Sequence, residues 1–399
     1  SNSNSLRNDI KISLDHKDFD FQSGVISFEN LREKKQSDKY QYVLPYYNFD
    51  KQISQNFFDG NVSLNSNGNN VLNNTNKLET NIINNLTYNS LDFISDLGLK
   101  NNFGINFKNL NSIGKKSSKY KDSVQSEVLS LYNIDASLPL SRESKKSKNF
   151  LTPKLSFRIN PSDMIDYSSS NRIISVDNVF AINRFGLSDS FESGRSLTLG
   201  VDYKKEKKDT VDNLIDINNY FEVKLATVLR DKEESFIPNK SSLNRTTSNL
   251  FGSISNRYSN NFKIGYNFSL DNDFSTLEHN QIDTTFSINN IVTNFNFIES
   301  NGERGDTNIL ASSIAYSLDD ENSFSFSTRR NRKINLTEFY DLVYQYKNDC
   351  LTAGIKYKKD YYSDGAIKPT ENILFTVTLF PLTTFEYDAE QDLKRYRDN

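Results

Sequence analysis

The chain is short of several residue types, and each shortage removes a class of function. It has one cysteine, one methionine, two histidines and no tryptophan among 399 residues. One cysteine leaves no internal disulfide framework. His16 and His279 are far apart, and no H-x-x-x-H, G-x-S-x-G, P-loop or paired-glycine motif accompanies them. Catalytic residues, metal ligands and cofactors are therefore not expected, and the chain reads as no enzyme. The acidic run Asp319-Asp320-Glu321 lacks the spacing of a calcium loop and reads as a solvated turn. Neither charge sign dominates: 48 basic against 51 acidic residues give a net charge of -3. There is thus no bulk electrostatic argument for nucleic acid. No run of about 18 apolar residues exists, so no transmembrane helix is available. Helical patterning is nearly absent, apart from Asp388 to Arg397, which is too short to hold a helix alone. No repeat of fixed period points to a solenoid.

Apolar residues make up 36% and the mean hydropathy is -0.65. By themselves these values describe a soluble or disordered chain. Disorder conflicts with 29 Phe and 21 Tyr, because disordered chains are poor in aromatics. An A/T-rich genome accounts for part of that excess. A β-barrel reconciles the numbers, since only alternate residues need be apolar while lumen and loops stay polar.

The alternation is clearest near the end. Tyr340, Leu342, Tyr344 and Tyr346 share one parity; Leu351, Ala353, Ile355 and Tyr357 form a second set; Ile373, Phe375, Val377 and Leu379 a third. Period-two patterning predicts strands with one apolar and one polar face. Earlier, Ile10 to Leu14, Tyr40 to Tyr46, Tyr132 to Leu140, Leu155 to Ile159, Leu197 to Tyr203 and Phe262 to Leu270 alternate in the same way. Pro45 belongs at an edge, a bulge or a strand end. Asn65 to Asn70 reads as turn-rich, and 160–197 is the least regular stretch, a structured polar connection.

In all, roughly 20 strands of about ten residues are expected, the length a tilted strand needs to cross a bilayer. Counting back from the end, connections alternate in length. Tyr362–Thr370 is long and Lys347–Asp349 short, Ser300–Thr307 long and Asn289–Asn290 short, Asp271–Gln281 long and Ser259–Asn261 short, and Arg230–Ser248 is the longest of this series. His279 falls within one of these loops. Short turns at one end and long loops at the other are the asymmetry of an outer-membrane barrel. The expected fold class is all-β, a transmembrane antiparallel up-and-down β-barrel occupying 1–399, with 383–399 a short polar tail.

The basic groups Lys204-Lys205-Glu206-Lys207-Lys208 and Arg329-Arg330-Asn331-Arg332-Lys333 either line the lumen and meet phosphates or are ordinary solvated strand ends. Cys350 starts a strand at a short turn, which in barrel topology faces the periplasm, where disulfides form. A lone cysteine there reads as a tie to another part of the protein or as a free thiol. The start Ser-Asn-Ser-Asn, without Met, reads as a processed chain or as a piece of a longer one.

Three stretches resemble the LptD family of outer-membrane lipopolysaccharide-assembly barrels. The ending Phe339 to Phe385 resembles that family's C-terminus, with cysteine after a short polar turn and a last strand of the form ILFTVTLFP. LPLSR at Leu138 to Arg142, followed by FLTPKLSFRINPSD at Phe150 to Asp163, is similar to a mid-barrel segment. So is NRFGLSDSFESGRSLTLGVDY, Asn183 to Tyr203.

The resemblance implies a periplasmic jellyroll joined to a barrel of about 26 strands, of which this chain is the C-terminal part, with the jellyroll and the first strands absent. It implies that lipopolysaccharide enters through the jellyroll and leaves sideways between first and last strands. The gate residues on the last strand would be Ile373, Phe375, Val377 and Leu379, with Pro381 just after. Cys350 matches the position that forms a disulfide to the N-terminal domain, although Leu351 stands where many members carry a second cysteine. An LptE-like plug lipoprotein and a periplasmic LptA-like bridge are the implied partners. The alternatives are a general outer-membrane porin or receptor barrel, and a secreted β-rich adhesin.

Overall fold

The computed structural model describes residues 5–31, 39–54, 58–74, 76–208, 215–361, 369–380 and 383–388. They form one antiparallel sheet of 22 strands. The first ten are β1 (Ser5–His16), β2 (Phe19–Asn30), β3 (Tyr40–Ser54), β4 (Gly60–Asn73), β5 (Lys77–Ser90), β6 (Phe93–Ile94), β7 (Lys100–Lys115), β8 (Gln125–Ser137), β9 (Leu140–Glu143) and β10 (Ser147–Asn160). There follow β11 (Gly194–Lys208), β12 (Ile215–Arg230), β13 (Leu250–Ser259), β14 (Phe262–Leu270), β15 (Leu277–Ile288) and β16 (Ile291–Ser300). The last six are β17 (Thr307–Ser317), β18 (Asn322–Asn331), β19 (Leu336–Lys347), β20 (Leu351–Asp360), β21 (Thr370–Leu379) and β22 (Thr383–Asp388).

Two of the 22 are fragments. β6 is two residues long, and β9 continues β8 on the same side of β10 after a break at Leu138-Pro139. Without them twenty strands remain, as the alternation predicts. The break has a physical cause. Pro139 and Pro153 lie at adjacent positions of the β8/β9–β10 pairing, so two residues without an N–H fall together where the ladder lapses, and Leu138 donates across it, to the Pro153 carbonyl at 3.1 Å. Pro45 likewise sits in a bulge, where the β3–β4 register shifts between Val43 and Tyr46.

Each strand separates its residues by parity. Phe295, Ile314, Phe326, Leu342, Ile355 and Phe375 point to the outer face and are exposed. Their neighbours Asn296, Ser313, Ser327, Asp341, Lys356 and Thr376 point inward. Short connections at 17–18, 260–261, 289–290 and 348–350 gather at one end, and 161–193, 231–249 and 361–369 at the other.

Three local expectations are corrected. Asn65 to Asn70 is not a turn but the middle of β4. Its side chains pair across strands rather than with their own backbone: Asn65 donates to Asn48 (3.1 Å) and Asp50 (2.6 Å), Ser66 to Asn84 (2.7 Å), and Thr80 reaches Asn70 (2.7 Å). Gly68 fits there because a Cβ would lie 2.5 Å from the Tyr47 ring. His279 is in β15 and not in a loop, because the ladder with β14 runs in one register from Phe262↔Phe286 to Ser269↔His279 and shifts only beyond it. Residues 383–388, read as tail, add strand β22, pairing Thr383–Asp388 with Leu379–Leu374. The helical expectation for 388–397 lies outside the described residues beyond Asp388.

The parity predicts unequal responses at two neighbouring positions in mid-β17. Ile314→Lys places an ammonium on the lipid-facing side and should cost about 2–4 kcal/mol, whereas Ser313→Lys faces the lumen and should be tolerated. Urea-dependent folding into lipid vesicles, followed by heat-modifiable mobility, compares them; equal loss in both would contradict the assignment of faces.

Candidate functional site

The longest connection, 161–193, is folded against the inner face of the sheet. It joins 231–249 and the inner residues of β12 and β13 in one apolar cluster: Met164, Ile174, Val179, Phe185 and Leu187 pack with Val228, Ile237, Leu243 and Phe251. Further along, Ile165 packs on Ile83, Leu110 and Tyr120, and Phe191 on Leu129 and Leu131. At its other extreme, Arg304 of the one-turn segment Gly302–Arg304 donates to the Ile174 carbonyl. One loop thus touches β5 and the β16–β17 connection. In a flat sheet those lie on the order of 40 Å apart at about 4.8 Å per strand, so the loop braces a wide arc of the wall from inside.

Burying such a loop leaves many carbonyls and charges without water, and each needs a partner. Lys108 on β7 supplies three contacts, to the carbonyls of Ser188 (2.7 Å), Ser190 (3.1 Å) and Leu187 (3.5 Å), with the Phe191 ring 4.5 Å away. Arg158 on β10 donates to the Phe180 carbonyl at 2.9 Å. Asp189 accepts from Tyr120 at 2.7 Å, from Tyr167, and from Lys119 in an ion pair. Burial pushes the Asp189 carboxyl up, yet Lys119 and the two phenols outweigh it and hold it below the ordinary range. Conversely, burial and the same carboxylate push both phenols up.

The strongest clamp is a buried triad. Arg184 approaches Glu192 through Nε at 2.6 Å and through a second guanidinium nitrogen, and also donates to Thr198 and Ser196 on β11, each at 3.1 Å. Arg230, the last residue of β12, donates to Glu192 Oε1, the oxygen shared with the second Arg184 nitrogen, and to the Ser193 carbonyl. The Arg184 and Arg230 side chains are 0% and 1% exposed, and Glu192 10%. Burial by itself would raise the Glu192 carboxyl, but Arg184, Arg230 and Arg158 depress it to about 2.

Asn183 to Tyr203 supplies much of this arrangement. Asn183 clasps a tight turn, accepting from the Leu187 N–H (2.9 Å) and donating to the Leu187 carbonyl (2.8 Å), while Gly186 takes φ 61. Phe185 and Leu187 enter the core, and Arg184, Asp189 and Glu192 carry the charges.

The residues expected from the sequence lie elsewhere. Ile373, Phe375, Val377 and Leu379 are on the outer face of β21, with Phe375, Val377 and Leu379 exposed. β21 is followed by β22, which covers its Leu374–Leu379 edge; Thr378 and Thr384 hydroxyls meet across that seam at 3.1 Å. Pro381 lies outside the described residues. Among the described residues β1 pairs only with β2 and β22 only with β21. Cys350 is exposed and unbonded to sulfur, in the 348–350 turn, where its carbonyl accepts from the Phe380 N–H at 2.8 Å. The basic runs are divided: Lys204 and Lys208 pair with Glu206 and Glu143, and Arg329 with Glu338. Among the described residues no cluster of His, Cys, Asp and Glu suits a metal ion. Sequence reasoning passed over Lys108, Arg158 and Arg230, although each is a cation at an inward-facing position of its strand.

Glu192→Gln should leave two buried guanidinium groups uncompensated and release the loop, at a cost of about 3–5 kcal/mol. Trypsin cleavage at Arg172 and Arg184, resisted by the wild type, reads it; equal protection in both would show that the triad is not the clamp. Because the Glu192 pKa is depressed, its contribution is complete above the ordinary carboxyl value of 4.5 and is lost as pH falls through about 2. Wild-type protection should therefore hold in mild acid and fail only well below pH 4.5.

Solved structures with a similar course are the siderophore receptor PirA from Pseudomonas aeruginosa (10% identity, 94% of this chain and 69% of that chain, TM-score 0.45) and the ferric-catecholate import receptor Fiu from E. coli K12 (9%, 96% and 74%, TM-score 0.42). A third is the ferric enterobactin receptor PfeA from Pseudomonas aeruginosa, as its Q482A mutant with enterobactin (7%, 96% and 72%, TM-score 0.45). TM-scores of this size carry no weight in the assignment. No curated protein matches by sequence. The family model LptD, described as LPS transport system D, matches residues 1–320, which include the folded loop and every residue of its clamps. An integral β-barrel of the outer membrane, the chain belongs to the LptD family.

Proposed function

We propose that this chain carries lipopolysaccharide to the outer leaflet, holding its polar part in the lumen and releasing it sideways at the end of the sheet, without catalysis. The observation that carries the reading is the loop 161–193 folded against the inner face at the long-loop end. The family match supports transport of lipopolysaccharide. The loop 161–193, fixed by the Arg184–Glu192–Arg230 triad, packs on the inner face of β5 to β13, and on this reading it obstructs a straight exit from the lumen. An amphiphile blocked there has a favourable route sideways, because its sugars and phosphates stay on the polar inner face while its acyl chains enter the bilayer. A diffusion porin, in contrast, needs an open lumen.

The exit seam on this reading includes β21 with Ile373, Phe375, Val377 and Leu379, and β22 takes part in it. Only six residues pair there, so few ladder bonds must break. The partners on this reading are an LptE-like plug lipoprotein in the lumen and a periplasmic LptA-like bridge, and with no nucleotide motif in this sequence the energy comes from elsewhere.

A cysteine pair at Thr378 and Thr384, oxidised in the full-length protein, should stop delivery of lipopolysaccharide to the cell surface, with recovery on reduction. Undiminished delivery by the oxidised protein would remove this seam from the route. For Cys350 we infer a tie to a cysteine outside this sequence. Non-reducing electrophoresis of the full-length protein should show a mobility change in Cys350→Ser; identical migration would discard the tie.

A further inference from the structure

The run Lys204 to Lys208 is split by strand parity, and the two halves differ in partners. Lys204 and Lys208 face the lumen and are paired with carboxylates. Lys205 and Lys207 face outward and are exposed, with no ion pair among the described residues; Asp216 lies opposite Lys207 across a bulge, beyond ion-pair distance. Two strands away Arg142 also faces outward, opposite Asn149, which is in turn opposite Lys205. Lys145 and Lys146 are exposed in the turn between β9 and β10, a turn closed by hydrogen bonds between Ser144 and Ser147. None of these three has an ion pair among the described residues either. Asp209 and Asp212 lie outside the described residues.

The position on the wall gives the patch its meaning. On the outer face one step above it runs an apolar row, Leu140, Leu151, Tyr203 and Val223, and the Tyr203 hydroxyl turns toward the patch to donate to Asn149 at 3.0 Å. Along β13 to β21 the outer face at this end finishes in exposed aromatic and aliphatic side chains such as Tyr258, Ile288, Ile291, Tyr316, Phe324 and Leu379, with no outward cation among the described residues. The girdle of apolar ends is thus interrupted by cations at β9–β11.

We propose that Arg142, Lys205 and Lys207, with Lys145 and Lys146, bind the phosphate of an anionic phospholipid in the periplasm-facing leaflet, its acyl chain lying along the Leu140–Tyr203 row. Short connections mark the periplasmic end of such a barrel, and the proposal rests on that orientation alone, not on passage of lipopolysaccharide. Arg142 and Lys205 are two strands apart, about 10 Å between Cα atoms. Side chains of that length converge on one phosphate from both sides. Unpaired cations at a membrane surface attract anionic lipid, and each contributes separately.

Native mass spectrometry of the full-length, delipidated protein with equimolar phosphatidylglycerol and phosphatidylcholine provides the test. The wild type should retain phosphatidylglycerol in preference by about tenfold or more, a preference weakened by salt. R142A/K205A/K207A should lose that preference, and R142K/K205R/K207R should keep it. Heat-modifiable mobility reports folding of each variant; if the alanine variant fails to fold, K205A alone should still reduce the ratio severalfold. Equal retention of the two lipids by the wild type, or an unchanged ratio in a folded alanine variant, overturns the proposal.

Discussion

The lumen depends on one carboxylate held between two guanidinium groups. Glu192 links Arg184 of the folded loop to Arg230 at the end of β12, and the Arg184 hydroxyl contacts extend the link to β11. Burying such a triad gains little over an apolar substitute, but its geometry is specific and its disruption is costly. Specificity is what a loop of irregular backbone lacks otherwise. The apolar cluster around Phe185, Leu187 and Phe251 supplies the burial, and the charges fix one arrangement.

The strands were legible in the sequence because a two-sided barrel wall imposes a period of two on every spanning segment. Phe262 to Leu270 and Ile373 to Leu379 show it without interruption. Where the wall is polar on both faces the signal fails, as in β4, whose Asn65 to Asn70 contains every hallmark of a turn. Only cross-strand partners such as Asp50 and Asn84 show that these amides bond sideways. The folded loop was legible as a motif, Asn183 to Arg195, but not as a plug. Its wall partners Lys108, Arg158 and Arg230 come from three separate strands, and no local pattern links them. Likewise, 383–388 alternates Phe385 and Tyr387 with Thr384, Glu386 and Asp388, but a run of six residues with two apolar positions is too short to announce a strand; pairing with β21 creates it.

The outer face shows the same division of labour by parity. In Lys204 to Lys208 a sequence reader sees one basic cluster, whereas the fold gives alternate lysines to two solvents. The lumen-facing ones are neutralised by Glu143 and Glu206, as a confined polar interior requires. The outward ones have the membrane surface as their environment, and a charged lipid is the partner that surface offers.

These features make the wall unequal around its circumference. The loop contacts inner residues on β5, β7, β8, β10, β11, β12 and β13, and each contact adds packing or hydrogen bonds that local opening would have to break. Among the described residues, the strands at both ends of the sheet have no such brace, and their stability comes from the ladders and the lipid. Taking β8 and β9 as one interrupted strand and leaving the fragment β6 aside, β21 and β22 share the shortest ladder among the described residues. An opening for an amphiphile needs a rigid frame and a weak seam in the same molecule, since a uniformly weak wall would admit lipid everywhere. Fixing the loop on one arc of the sheet leaves the ends without that brace, so on the proposed route the clamp stiffens the wall from β5 to β13 and the β21–β22 seam is where separation costs least.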